Sequence, residues 1–60
     1  MIKVTFQGQD GVYWAVCESV SRIQEGGFLL DNVQQDSPGG GPHSWSKTPK
    51  DWKIIFVEEA

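Results

Sequence analysis

Ile2-Lys3-Val4-Thr5-Phe6-Gln7-Gly8-Gln9-Asp10-Gly11-Val12-Tyr13-Trp14-Ala15-Val16-Cys17 is the stretch that decides the fold of this chain. Up to Gln7 it alternates, with Ile2, Val4 and Phe6 on one face and Lys3, Thr5 and Gln7 on the other, as a half-buried strand requires. Turn-forming residues follow at 8–11, and then six residues rich in strand formers, so a β-hairpin is predicted. Gln9-Asp10-Gly11 suits a three-residue link with Gly11 in the left-handed conformation, which sets Phe6 opposite Trp14 and Val4 opposite Val16. A two-residue Asp10-Gly11 link would instead pair Phe6 with Ala15 and Val4 with Cys17. The first register gathers the large apolar groups on one face and is the one expected, since a one-residue slip exchanges the faces.

Outward from this hairpin the alternation falters around Cys17 to Ser21, where Glu18 falls on the face of Trp14 and Val16 and a bulge or bend is expected. Val20 to Glu25 leads into Gly26-Gly27 and then Phe28-Leu29-Leu30-Asp31-Asn32-Val33. A two-residue Gly26-Gly27 turn would pair Ile23 with Leu30, Val20 with Val33 and Arg22 with Asp31. Residues 34–47 carry no periodicity and many chain breakers, among them Pro38-Gly39-Gly40-Gly41-Pro42, and read as one long Gly/Pro-rich loop. Thr48-Pro49-Lys50-Asp51 has the form of a helix start, with Thr48 as N-cap and Asp51 closing a capping box. The last strand, Trp52 to Glu58, is apolar on both faces, as a central strand or a strand meeting another subunit would be.

The order predicts an all-β fold over residues 1–60 as one small domain. It comprises four or five antiparallel strands in a small barrel or curved sheet, SH3-like in size, with one short helical turn before the last strand. The likeness to SH3-like barrels is similar in architecture only, and fold does not establish function. One side of the sheet is expected to hold Ile2, Val4, Phe6, Trp14, Val16, Ile54 and Phe56. Tyr13, Ala15, Ile55 and Val57 are left for the other.

Sixty residues bury only about 60% of the unfolded surface, so further support is expected. Cys17 is the only cysteine, which excludes an internal disulfide, and Cys17 with His43 falls short of the four ligands of a structural zinc. Self-association becomes the expected support. The lone thiol and the absence of a signal-like N-terminal segment suggest a cytoplasmic protein. The longest apolar run, Ile54 to Val57, is far below the roughly 18 residues of a membrane span. A net charge of -3 disfavours general nucleic-acid binding.

No catalytic set emerges. His43 stands near Ser44 and Ser46, but nothing orients it as a base toward a nucleophile. Cys17 lies beside Glu18, which opposes thiolate formation, and reads as a packing residue. Gly39-Gly40-Gly41 is bracketed by Pro38 and Pro42 and lacks the strand-to-helix setting and the lysine of a phosphate loop. Trp45, a tryptophan in a loop, either caps the core or serves a partner.

The leading expectation is a non-catalytic protein-interaction or regulatory module, acting as a small homodimer with an unidentified protein partner. No cofactor is expected. His43, Trp45, Lys47 and Lys50 are the candidate binding residues, and Tyr13, Ile55 and Val57 the candidate dimer interface. One alternative is a nucleotide or metabolite binder that uses the loop from Gly39 to Trp45. The other is single-stranded nucleic-acid binding through Lys47, Lys50, Lys53 and Trp45.

Overall fold

The computed structural model describes residues 1–37 and 46–60. Their strands are β1 (Ile2–Gln7), β2 (Val12–Cys17), β3 (Ser19–Arg22), β4 (Phe28–Asp31), β5 (Gln35–Asp36) and β6 (Lys53–Glu59). They form two antiparallel sheets, one ordered β5-β2-β1-β6 and the other β3-β4. The fold is all-β as expected, but with six strands rather than four or five, and no closed barrel forms among the described residues.

β1 and β2 form the predicted hairpin in a different register. Phe6 pairs with Tyr13, Val4 with Ala15 and Ile2 with Cys17. The Gly8 N–H donates to the Gly11 carbonyl at 2.8 Å, so Gln9 and Asp10 alone turn the chain. Because this differs by one residue from the expected register, Trp14 and Val16 move to the face of Lys3 and Thr5. Tyr13 and Ala15 join Phe6. Packing explains the outcome. Phe6 is fully buried and meets Phe28 and Trp52, with ring centroids 5.8 and 5.7 Å away. The smaller Ala15 and Cys17 leave room for that cluster where Trp14 and Val16 would not. On the opposite face the Lys3 ammonium lies 4.7 Å from the Trp14 ring centroid, a cation–π contact.

The expected bend falls at Glu18, between β2 and β3, and carries the chain from one sheet to the other. The second hairpin is also reset. Ile23 N–H donates to the Gly27 carbonyl and Gly26 N–H to the Ile23 carbonyl, so the link runs over residues 24–26. Arg22 therefore faces Phe28, and Asp31 faces Ser19. The expected Arg22–Asp31 pair does not form. Instead the Arg22 guanidinium lies 5.8 Å from the centroid of the Phe28 ring.

The core consists of Val4, Phe6, Ala15, Cys17 and Leu30, with Ile2, Val20, Phe28, Val33, Trp52 and Ile54 packed against it. Val20, Leu30 and Phe28 share the inner face of the small sheet through the Val20–Leu30 and Arg22–Phe28 pairs. Leu29, between them, is left about half exposed. The 34–47 stretch is not one loop, because β5 pairs with β2 and the Ser37 N–H donates to the Trp14 carbonyl at 2.9 Å. At its other end, Lys47 bridges Leu29 in antiparallel fashion. The expected helical turn is also absent. The Thr48 hydroxyl accepts from the Phe28 N–H at 2.9 Å, tying the segment to β4 instead of capping a helix. One bond, Trp52 N–H to the Pro49 carbonyl at 3.3 Å, turns the chain into β6.

Cys17 is a free, buried thiol. Burial pushes its pKa above the ordinary value, and the Asp31 carboxylate adds to that rise. The folded state then holds the thiol proton more tightly than the unfolded chain. The resulting stability is full below the ordinary thiol pKa and is lost as pH rises through the raised one. The native protein is expected to resist maleimide at neutral pH, with full labelling in urea. Fast labelling of the native state would place Cys17 in contact with solvent.

Candidate functional site: a cationic groove beside an open strand edge

Two features of the surface stand apart. The first is a groove of about 480 Å³ between the β3–β4 turn and the entry to β6. Arg22, Lys50 and Lys53 contribute its positive charge, and Ile23, Phe28 and Ile54 supply apolar wall. Trp52 also lines it, stacked on Tyr13 with centroids 4.5 Å apart and planes 2° from parallel. Three of the five Lys and Arg residues of a chain with net charge -3 thus meet at one concavity. Glu25 and Asp51 lie in the two adjoining turns, exposed and outside the lining.

Local structure holds the groove open. Gly26 and Gly27 adopt φ values of 118° and 83°, which favour glycine. At Gly27 a Cβ would lie 2.6 Å from the Thr48 carbonyl oxygen. The β3–β4 turn is therefore packed directly onto the backbone that leads to Lys50. On the other side Gly8 makes room for the Trp52 indole, whose Nε1 would lie 2.7 Å from an added Cβ.

The second feature is β6. Among the described residues it pairs only with β1, with a register shift opposite Thr5 and Phe6. Of the two expectations for this strand, central or meeting another subunit, the central placement does not hold: β6 is an edge of the sheet and β1 lies inside it. Ile55, Phe56 and Val57 are 47%, 51% and 48% exposed. Phe56 pairs with Thr5 and Val57 with Val4, so apolar surface is open on both faces. The opposite edge of the sheet is the two-residue β5. There β5 pairs with β2, and the Ser37 hydroxyl accepts from the Trp14 N–H at 3.2 Å.

The expected site residues separate into three groups. Lys50 and Lys53 line the groove, and Lys47 does not. Ile55 and Val57 stand on the open β6 edge, whereas Tyr13 sits on the Phe6 side, stacked on Trp52. The Tyr13 hydroxyl donates to the Asp10 carboxylate at 2.8 Å, and that bond is the first cause of its raised pKa. His43, Trp45 and the loop from Gly39 to Trp45 lie outside the described residues. Arg22 and Phe28 were missed as site residues, because a misplaced turn assigned Arg22 to Asp31. Among the described residues no group of three or more His, Cys, Asp or Glu could hold a metal ion, and no helix is long and apolar enough to cross a membrane.

These features define the class: a small two-sheet β domain with a cationic groove and an apolar edge strand that has one partner among the described residues. No family model, curated protein or solved structure matches the chain.

Proposed function

We propose that this chain is a non-catalytic interaction module that works as a two-fold dimer joined through β6. The observation that carries this reading is the half-exposed Ile55-Phe56-Val57 run on a strand with no second neighbour among the described residues. An apolar open edge is a template for another strand, and such edges are ordinarily short, charged or covered. The other edge of this sheet is β5, a strand of only two residues, so the contrast between a short edge and a long apolar one lies within one molecule.

Charge favours a second copy as the occupant. β6 begins at Lys53 and ends at Glu58 and Glu59. Antiparallel pairing about a two-fold axis brings the basic end of each strand beside the acidic end of the other. Parallel pairing would set like charges together. A chain of this size also gains stability by mass action when it associates.

Sedimentation equilibrium tests the proposal. The unmodified chain is expected to be dimeric at tens of micromolar, and Ile55→Lys monomeric with its strand content retained. Should Ile55→Lys unfold, Phe56→Thr keeps β propensity while removing apolar area, and should weaken the dimer at least about tenfold. A monomer at high micromolar concentration would refute the dimer.

A further inference from the structure

From the groove beside β6 we infer a specific ligand class: an acidic, extended peptide segment of another protein, carrying an apolar side chain between its carboxylates. This deepens the reading of the chain as an interaction module and does not depend on the dimer. Its basis is the meeting of Arg22, Lys50 and Lys53 around a wall made by Ile23, Phe28 and Ile54.

The charge distribution is unusual for this protein. The chain has eight carboxylate residues against five cations, yet three of those cations line a single groove. Grouping like charges costs free energy unless an opposite charge binds there, and clefts focus the resulting potential. Arg22 has the planar fork that receives a carboxylate through two bonds, and Lys50 and Lys53 add mobile point charges. A volume of about 480 Å³ lies within the range of pockets that hold a small ligand or a short run of side chains.

The aromatic groups decide between a peptide and a nucleic acid. Single-stranded nucleic acid is held by bases stacked on open aromatic faces. Here the Trp52 indole already stacks on Tyr13, and Phe28 packs on Phe6 while Arg22 lies against its ring. Both rings act as wall rather than platform. Outside the groove a long polyanion would meet a protein of net charge -3, whereas a short acidic segment need touch only the groove.

Lys53 stands where the groove meets the β6 edge. In the dimer it also approaches the acidic strand end of the second copy, so Arg22 and Lys50 are the informative positions.

The test is a fluorescence-anisotropy titration of the unmodified chain with a labelled peptide of alternating Glu and Leu. A Lys-Leu peptide and an oligo-deoxythymidine serve as parallel probes. The Glu-Leu peptide is expected to bind at micromolar levels, more weakly as salt rises, and the other two at least about tenfold more weakly. Arg22→Glu and Lys50→Glu should each weaken it about fivefold or more, while Lys47→Glu, outside the groove, leaves it unchanged. All three positions are exposed, and circular dichroism verifies each fold. Failure of the Glu-Leu peptide to bind, equal loss in Lys47→Glu, or tighter binding of the oligonucleotide would each overturn the inference. The oligomeric state is read separately, so the groove and the dimer stand or fall independently.

Discussion

Replacing Phe6 with Ala is expected to leave the chain mostly unfolded at 25 °C. Among the described residues Phe6 is the largest fully buried side chain, held between Phe28 and Trp52 at the meeting of the two sheets. Truncating a buried Phe costs about 3–5 kcal/mol, part from lost transfer energy and part from the cavity left behind. A domain of this size has about 3–9 kcal/mol of stability in total, and small cores tend to the low end. Phe6→Leu keeps most of the volume and should remain folded, with a loss of about 1–2 kcal/mol. Urea unfolding followed by tryptophan fluorescence checks both, because Trp52 leaves its stack on Tyr13 as the fold opens. A cooperative transition in Phe6→Ala within about 1 kcal/mol of the unmodified protein would remove Phe6 from the centre of the core.

Gly27→Ala is expected to be the next most damaging change, at about 2–4 kcal/mol. Two effects add. A φ of 83° is strained for any residue with a Cβ, at about 1–2 kcal/mol. The new methyl would also sit 2.6 Å from the Thr48 carbonyl oxygen and 3.0 Å from that of Pro49. Backbone must then move, and the nearest bonds to suffer are the Phe28 N–H to the Thr48 hydroxyl and the Thr48 N–H to the Phe28 carbonyl, both 2.9 Å. Gly26→Ala supplies the control. It has a positive φ as well, but its added Cβ would first meet the Lys50 Cβ at 3.2 Å, a tight contact rather than the 2.6 Å overlap with backbone at Gly27. Equal urea midpoints for the two variants would mean that the close approach of the turn to residues 48–49 contributes nothing.

Turn chemistry left the registers open. Gly8-Gln9-Asp10-Gly11 supports links of two or three residues, and the expected three-residue link gave way to Gln9-Asp10. Gly26-Gly27 invited a two-residue turn, and the chain uses three residues, 24–26. Such alternatives differ locally by little, whereas seating Phe6 between Phe28 and Trp52 is worth several kcal/mol. The groove was legible only in part for the same reason. Lys50 and Lys53 stood out as a basic cluster near Trp52. Arg22 and Phe28 join them because the observed register sets those two residues side by side.

Period-2 alternation and its breaks, which are properties of neighbouring residues, determined most of the strands. The runs at Ile2–Gln7 and Val12–Cys17, the bend at Glu18, and the apolar last strand were all readable without coordinates. The tertiary structure alone decided which strand is central and which is open. β1 takes the centre because the short hairpin link places β2 on one side and the returning β6 on the other. β5 was invisible for the opposite reason. Gln35 and Asp36 have no strand-like pattern, and they are extended because the Val16 and Trp14 carbonyls accept from the Gln34 and Ser37 N–H groups on either side of them. Thr48 shows the same rule at one residue: its local pattern favours a helix cap, but the Phe28 N–H across the chain claims its hydroxyl. Side-chain alternation is a local property, while backbone hydrogen bonds between distant segments depend on packing that no neighbouring residue encodes.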